Sequence, residues 1–388
     1  MSSGDSFDTL DRLRYLILPV LCLAVPFGAW SSLIFYDLFR ATDNGARISA
    51  RSIVERVLMT SALLGPAFLS ADLIVELNFA WPGVGRLFIN SLELFDVGAV
   101  AACLLVYSLA IVLIKICSDL VVGIPSTALP RRIGEPRPFA TRGRSFSPVG
   151  IIAVVMLLCA AIGAIAANLI APAGPYVIDQ AHWQGYPLSP GVAGHILGTD
   201  EIGRDLLSRL LFGLRTSLVI AALAAAIAAA IGAVVAMATK AMLWFDDPNA
   251  AVATGIRPFA ALPFMLAAVM VLADRDKSTA FLTPPFLVLM IVVASWRAIV
   301  PAFRAFTPAT IGSVIDLTAC ALLLEVTLSS MGFGVQPPGP SLGNMLVNAQ
   351  MDLAVAPWAA LVPIAVIIVT LFALYAIADD LREWARSY

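Results

Sequence analysis

The segment HILGTDEIGRDLLSRLLFGLRTSL, residues 195–218, places a dense group of charged side chains directly before a long apolar run. Its apolar side chains recur at helical spacing, at Ile202, Leu206, Leu210 and Leu214. Its polar side chains fall on the opposite face of the same helix, at Arg204, Asp205, Ser208 and Arg209. The pattern predicts an amphipathic helix at an interface, and it leaves open a surface helix with no special role.

The ends of this helix carry residues that suit the helix dipole. Thr199 or Asp200 can accept hydrogen bonds from the free N–H groups of a first turn. Asp200 and Glu201 add negative charge at the N-terminal end, and Arg215 adds positive charge at the C-terminal end. We therefore expect a helix from residues 199–200 to about Arg215.

The composition is that of an integral membrane protein. Of 388 residues, 60% are hydrophobic and only 13% are charged, and the mean hydropathy is +0.92. Each of nine apolar runs approaches the roughly 20 residues that a membrane-spanning helix needs. They are residues 15–39, 57–78, 97–123, 149–171, 217–239, 256–273, 282–303, 308–330 and 357–378. The predicted fold is an all-α, polytopic transmembrane bundle of about nine spans.

The positions of the basic residues predict the orientation. Arginines are concentrated in residues 40–56 and 131–144, whereas residues 172–194 contain no lysine or arginine. Because cytoplasmic loops are enriched in basic residues, we expect 172–194 outside, the C-terminus inside and the N-terminus outside. The first apolar run is long enough to span, so we expect no cleavable signal peptide.

The sequence divides into three parts. Residues 124–147 are rich in proline and arginine and predict a cytoplasmic linker. The linker separates a membrane block over residues 1–123, with about three spans, from one over residues 148–388, with about six.

A weak repeat relates the two blocks. Gly83 and Gly85 follow Glu76 at the spacing at which Gly332 and Gly334 follow Glu325. Each glutamate ends an apolar run, a glycine-rich turn follows, and another span comes next. Such repeats in membrane bundles indicate pseudo-equivalent halves beside a pathway.

Residues that could perform catalysis are sparse. The sequence has no phosphate-binding GxxxxGK[ST] motif and no histidine or cysteine cluster with metal-ligand spacing, so we expect no enzyme, cofactor or metal site. Charged residues within the apolar runs are the usual indicators of a transport path, and they are Asp72, Glu76, Lys115, Asp316 and Glu325. Asp316 lies near the middle of its run, where a helix–helix hydrogen bond and a pathway role are both open.

Two long segments resemble a known family. Residues 195–218 resemble the signature after the first span of one permease of peptide and nickel ABC importers, and residues 325–346 resemble its outer loop before the last span. Residues 148–388 thus resemble a nearly full second permease of oligopeptide and dipeptide importers. Residues 16–21 and 72–87 are similar to the second half of the partner permease. The chain resembles a truncated first permease fused to a second.

The resemblance implies a pathway formed by two permeases, an extracytoplasmic solute-binding protein, and two cytoplasmic ATP-binding subunits. It places the chain in the bacterial plasma (inner) membrane. Further possible partners are another permease copy and the lipid bilayer, and no nucleic acid is expected. The implied outer gate and binding-protein surface consists of Gly198, Thr199, Asp200, Gly203, Arg204, Asp205, Ser208, Arg209, Arg215, Glu76, Trp81, Gly83, Gly85, Glu325, Gly332, Gly334, Gln336 and Pro337.

The ATPase-facing element departs from the family pattern. Only residues 305–307 separate Arg304 from Pro308, which is too short for the coupling helix expected before the penultimate span. Residues 41–56 are the remaining candidate for ATPase docking, with Arg47, Arg51 and Glu55 exposed. The leading interpretation is a permease component that moves peptides or similar small solutes. The alternatives are a degenerate or repurposed relative not coupled to an ATPase, and an ion-coupled carrier.

Overall fold

The computed structural model describes residues 17–29, 31, 32, 57, 65, 67–94, 96–122, 147–182, 185–238, 288, 292, 308–335, 338–350 and 352–386. These residues form helices and turns without a continuous strand, which confirms the all-helical prediction for this part of the chain. They fall into two compact units, one with the described residues up to 122 and one with those from 147 onward.

The described residues of the first unit form four helices. They are α1 (Ile17–Ala29), α2 (residues 67–78), α3 (Val84–Glu93) and α4 (Val97–Val122). Helix α3 is short and amphipathic, and it buries Phe88 and Ile89 as it packs against α4. The ring of Phe88 meets that of Tyr107 edge to face, which fixes the contact between the two helices.

Six helices with described bounds lie in the second unit. They are α5 (Pro148–Ile165), α6 (Ala167–Ile170), α7 (Leu206–Ala238), α8 (Pro308–Ser330), α9 (Leu342–Ala349) and α10 (Pro357–Arg386). Helix α8 is central, because it packs against α7, α9 and α10. In the most apolar 18-residue stretch of α8, 61% of the residues are buried. In the corresponding stretch of α5 only 17% are buried, so α5 lies at the periphery.

Four described helices are long and apolar enough to cross a membrane: Pro148–Ile165, Leu206–Val234, Thr310–Ser330 and Pro357–Arg382. Shorter apolar helices are Ile17–Ala29 and, within α4, Gly98–Leu113. The predicted runs 256–273 and 282–303 lie outside the described residues, apart from the buried helical residues Val288 and Val292. The count of about nine spans stays a prediction.

The predicted boundaries of the helix in residues 195–218 are wrong. Helix α7 begins at Leu206, because residues 198–205 form a turn closed by a bridge between Thr199 and Asp205. The N–H of Ser208 donates to Asp205 Oδ2 (2.7 Å), so Asp205, and neither Thr199 nor Asp200, caps the first turn. The helix also continues through Arg215 to Ala238, so the charged segment and the apolar run after it share one helix.

The two units share an order of elements. In each, a glutamate-bearing helix leads through a glycine turn into a short helix and then a long apolar one: α2–α3–α4 in the first unit and α8–α9–α10 in the second. The short helices α3 and α9 were not expected from the sequence. Each repeat therefore has a short helix between two longer ones: α3 has ten residues and α9 has eight.

Candidate functional site

Residues 171–205, which we call the connecting segment, fold back onto the start of α7. The N–H of Asp179 donates to the carbonyl of Gly203 (2.9 Å), and the N–H of Leu206 donates to that of Gly198 (3.0 Å). Gly198 has φ +80°, and a Cβ there would overlap the carbonyl oxygen of Leu188. A residue without a side chain is therefore required at Gly198.

Beneath this turn lies the buried polar cluster, which consists of Asp200, Arg204, Asp205, Ser208 and Arg209. Asp200 Oδ2 accepts from Arg204 Nε (2.6 Å) and pairs with Arg209 Nε (3.1 Å), and Asp200 Oδ1 accepts from the N–H of Arg204 (2.8 Å). The three side chains are 3–8% exposed. Burying three charged groups is tolerable only because they pair with one another and form further hydrogen bonds, in which the arginines donate and Asp200 accepts.

Glu201 borders the cluster and meets more solvent. It accepts from Arg204 Nη2 (3.0 Å) and its side chain is 26% exposed. Burial raises the pKa of Glu201, and the neighbouring Asp200 carboxylate raises it further.

The cluster also holds the start of the connecting segment. Asp205 Oδ2 accepts from Ser208 Oγ (2.7 Å), and Ser208 Oγ accepts from the N–H of Ala173 (3.2 Å). Arg209 Nη1 donates to the carbonyl of Pro175 (3.3 Å). Both ends of the connecting segment are therefore tied to the first turn of α7.

His195 bridges two carboxylates in the same segment, a contact that we did not predict. Its Nδ1 lies 2.8 Å from Asp205 Oδ1 and its Nε2 lies 3.1 Å from Asp179 Oδ2. Both ring nitrogens can donate only in the protonated imidazolium form. The sequence did offer a signal, since the two histidines of the chain, His182 and His195, both lie in this segment.

The bridge shifts the pKa values of its members. Burial is the largest single influence on His195 and lowers its pKa, but the hydrogen bonds with Asp205 and Asp179 together outweigh burial and raise the pKa above the ordinary 6.5. Hydrogen bonds from His195 and then from His182 lower the pKa of Asp179 to about 2. The bridge therefore favours the protonated form of His195 and the ionised form of Asp179.

The second predicted motif, residues 325–346, meets the first one in the structure. Gly213 of α7 lies against the start of α9, where a Cβ would be 3.3 Å from the carbonyl carbon of Ser341. A pocket opens between the cluster and helices α9 and α10. It is lined by Asp200, Glu201, Leu206, Arg209, Met345, Asn348, Ala349 and Ala359.

Glu325 is fully buried in α8, and Ser329 Oγ donates to its Oε1 (2.7 Å). The turn after α8 uses Gly332, with φ +82°, and Gly334, which lies against Ser329. Ser341 and Asn344 then form a capping box at the start of α9. Gln336 and Pro337 lie outside the described residues.

Glu76 has a different role in the first unit. Its Oε2 accepts from the N–H of Arg86 (3.0 Å), so the carboxylate caps the start of α3 directly. Gly83 and Gly85 give it room, since a Cβ on Gly85 would be 3.0 Å from Glu76 Oε2. Trp81 lies half-buried in the turn between α2 and α3.

The structure thus separates the predicted residues into groups. Gly198, Thr199, Asp200, Gly203, Arg204, Asp205, Ser208 and Arg209 lie together and are buried, while Arg215 is exposed. Ser208 and Arg209, the polar residues in the first turn of α7, do not meet solvent, because the connecting segment covers them. Arg47, Arg51 and Glu55 lie outside the described residues.

Asp316, for which two roles were open, pairs with Arg382. The pair links α8 to the last turns of α10. Nearby, the N–H of Ser147 donates to Asp380 (3.0 Å), which joins the start of α5 to the same turns. Asp316 therefore makes a helix–helix contact. Among the described residues, no group of three or more His, Cys, Asp or Glu side chains could hold a metal ion.

Comparison with known proteins gives the family. No family model matches the chain. The chain is similar to the dipeptide transport system permease protein DppC of Escherichia coli (strain K12), at 30% identity over 279 residues that cover 61% of this chain and 86% of that protein. It is 25% identical over 280 residues to the oligopeptide transport system permease protein OppC of Mycobacterium tuberculosis, covering 62% of this chain and 90% of that protein. It is 29% identical over 229 residues to the di/tripeptide transport system permease protein DppC of Pseudomonas aeruginosa, covering 50% and 73%. The chain belongs to the family of dipeptide and oligopeptide ABC transport permeases.

Proposed function

We propose that this permease moves peptides or similar small solutes inward across the bacterial plasma membrane, as a component of a binding-protein-dependent ABC importer. The observation that carries the proposal is the 30% identity to a dipeptide permease over 86% of that protein. The sequence lacks a phosphate-binding GxxxxGK[ST] motif, so ATP hydrolysis is assigned to separate cytoplasmic subunits. Delivery of the substrate is assigned to an extracytoplasmic solute-binding protein.

The front block is proposed to be a truncated first permease fused to the second. The relative from Escherichia coli covers 61% of this chain, which leaves the length of an additional membrane block. The shared order of elements in α2–α3–α4 and α8–α9–α10 supports a common origin for the two blocks.

The connecting segment is proposed to lie on the outer side, because residues 172–194 contain no lysine or arginine. The buried polar cluster then holds the connecting segment in place at the proposed entrance of the pathway. Large apolar side chains that the segment leaves exposed, Tyr176, Val177, Tyr186 and Ile196, are proposed to contact the solute-binding protein. Arg204 and Asp205 act by holding these side chains in place.

A second candidate function is a relative that is not coupled to an ATPase. It is favoured by the short interval between Arg304 and Pro308, where α8 begins. In a coupled importer, the ATP-binding subunits would dock near Arg47, Arg51 and Glu55. Purification of the tagged chain from native membranes distinguishes the candidates: an importer recovers ATP-binding subunits, and a chain that repeatedly recovers none is uncoupled.

Uptake tests the role of the site. In a strain that lacks its own peptide permeases, we expect the chain to restore peptide uptake and the double variant Arg204→Ala with Asp205→Ala to reduce uptake while inserting normally. The matched control is Arg215→Ala, which removes an exposed arginine of the same helix outside the cluster. Equal uptake by the double variant and the control would remove the functional assignment of the cluster.

A further inference from the structure

We propose that α3 of one copy of this chain is covered by α1 of a second copy. The receiving surface, which we call the α3 face, consists of Val84, Leu87 and Asn90. The covering surface, which we call the α1 face, consists of Ala24 and Gly28 of α1 and the helical residue Ser32 just after it. The association rests on the repeat that relates α2–α3–α4 to α8–α9–α10, and it needs no transported solute.

The short helices α3 and α9 correspond in sequence and in position. Residues 84–91 read VGRLFINS and residues 342–349 read LGNMLVNA, so the glycine, the asparagine and the apolar residues fall at the same places. In each helix the glycine lies against the backbone of the preceding helix. A Cβ on Gly85 would be 2.7 Å from Leu73 Cα of α2, and one on Gly343 would overlap the carbonyl oxygen of Val326 of α8. The two short helices therefore present corresponding faces.

In the second unit, α7 covers this face. Leu342 and Met345 of α9 are 0% and 4% exposed. The N–H of Leu342 donates to Ser217 Oγ (3.3 Å), and a Cβ on Gly213 would be 3.4 Å from Met345 Sδ. Gly213 and Ser217 are four residues apart, the spacing of small residues that lets membrane helices approach closely. The face is thus shaped to receive a helix with two small residues at this spacing.

In the first unit, the corresponding face is open. Val84 and Leu87, at the places of Leu342 and Met345, are 39% and 55% exposed. Asn90 is exposed on the same face. Because lipid solvates an amide poorly and water solvates leucine poorly, a protein surface suits this face better than either. The front block has no segment similar to residues 195–218 that would lead into a counterpart of α7.

Helix α1 offers the required spacing and is itself hardly covered. Of residues 17–29 only Pro19 is buried. Ala24, Gly28 and Ser32 are exposed and four residues apart, and no atom of a neighbouring residue lies within 4 Å of the Cβ position of Gly28. Since both faces are exposed in the single chain, α1 does not cover α3 of its own copy. Two copies related by a twofold axis cover both faces twice, with each α1 on the α3 of the other copy.

Other helices of the chain suit the α3 face less well. Helix α7 of either copy is occupied, because Gly213 and Ser217 already contact α9. The apolar run 256–273 contains no two glycine, alanine or serine residues four apart. In the run 282–303 such pairs lie only at residues 294–302, around Arg297, and basic residues predict a cytoplasmic end there.

Disulfide cross-linking between two differently tagged copies in one membrane tests the association. The five native cysteines are replaced by alanine, one copy carries Ala24→Cys and the other carries Leu87→Cys, so a disulfide that joins the two tags links different copies. The control pair is Leu87→Cys with Val155→Cys, at a position of α5 that is 54% exposed. We expect the first pair to be linked at least about tenfold faster than the control pair, because seated helices hold the thiols within disulfide reach. Equal rates overturn the inference.

The variant Gly28→Leu tests the α1 face with the same pair of cysteines. A leucine at this position prevents close approach, so the rate should fall to that of the control pair. The matched control is Ala29→Leu, which places a leucine at the adjacent exposed position, about 100° around the helix, and should leave the rate unchanged. Loss of cross-linking in both variants, or in neither, overturns the inference.

Photo-cross-linking identifies what covers the α3 face when α1 is unchanged, and so gives an answer even if Gly28→Leu fails to accumulate. A photoreactive residue in place of Leu87, in a mixture with an isotope-labelled copy, should react with residues 17–32 of the second copy. Adducts with residues 239–307 of the same chain, with another protein or with lipid alone overturn the inference. Because neither measurement needs a solute, a chain without peptide uptake can still confirm the association. Uptake without cross-links contradicts this inference and leaves the proposed function intact.

Discussion

Removing the charge of Asp200 should release the connecting segment while leaving the helices in place. Asp200 pairs with Arg204 Nε at 2.6 Å and with Arg209 Nε at 3.1 Å. In Asp200→Asn the two guanidinium groups stay buried, with only Glu201, which is 26% exposed, to balance them. Breaking a buried pair by removing one partner costs about 3–5 kcal/mol, and the retained amide oxygen places this variant near about 3 kcal/mol.

Hydrogen–deuterium exchange measures this cost where it arises. The N–H groups of Asp179, Asp200 and Leu206 are hydrogen-bonded within the segment and report its opening. A loss of about 3 kcal/mol corresponds to an increase of about 100-fold in their exchange rates, since about 1.4 kcal/mol is a factor of ten.

The neighbouring variant Glu201→Gln is the matched control for Asp200→Asn. It removes the same charge from a partly exposed pair, for which about 0–1 kcal/mol is expected, so exchange should rise less than about fivefold. Equal acceleration by the two variants would refute the reasoning that burial decides the cost. Acceleration that extends into α5 would show that the cluster supports the whole unit.

Three further predictions concern other contacts. A left-handed backbone alone costs a residue with a side chain about 1–2 kcal/mol. Gly198→Ala should destabilise the connecting segment by more than this, because the new Cβ would also overlap the carbonyl oxygen of Leu188. Hydrogen–deuterium exchange of the amides in the segment measures the loss. The raised pKa of His195 means that its stabilisation is fully present below the ordinary 6.5 and is lost as pH rises through the folded-state value, so the segment should open more readily in alkaline buffer. Neutralising Asp316 or Arg382 should lower the thermal unfolding midpoint, and exchanging the two charges should restore most of it.

Controls for these three predictions come from the same chain. Gly191 also has a positive φ, +82°, but has open space around its Cβ position, so Gly191→Ala should cost only the backbone term. His195→Gln should abolish the pH dependence, because Asp179, with a pKa of about 2, stays ionised throughout the range. If the variant with Asp316 and Arg382 exchanged is no more stable than the single variants, the surroundings determine which of the two positions must carry the acidic residue.

Sequence reasoning located the apolar helices well. The runs 308–330 and 357–378 coincide with α8 and with most of α10, because hydropathy over some 20 residues is a local property that survives any packing. The short helices α3 and α9 escaped notice, since ten and eight residues give too few periods to stand out. The repeated Glu-Gly-Gly spacing was found, but it did not reveal that Glu76 accepts from the N–H of Arg86 at the start of α3, whereas Glu325 accepts from the hydroxyl of Ser329 within α8.

The sequence by itself determined that this protein is built from membrane helices and that its segments 195–218 and 325–346 belong to a permease. The first conclusion rests on composition and hydropathy, and the second rests on the resemblance of the two segments to a known family. Only the tertiary structure decided that Ser208 and Arg209 at the start of α7 are covered, that His195 joins Asp179 to Asp205, and that Ser217 meets Leu342. Periodicity shows which residues share a face of one helix, whereas the partner of that face comes from another part of the chain. Burial of a charged residue depends on that partner, because it is stable only where the partner supplies the opposite charge or a hydrogen bond.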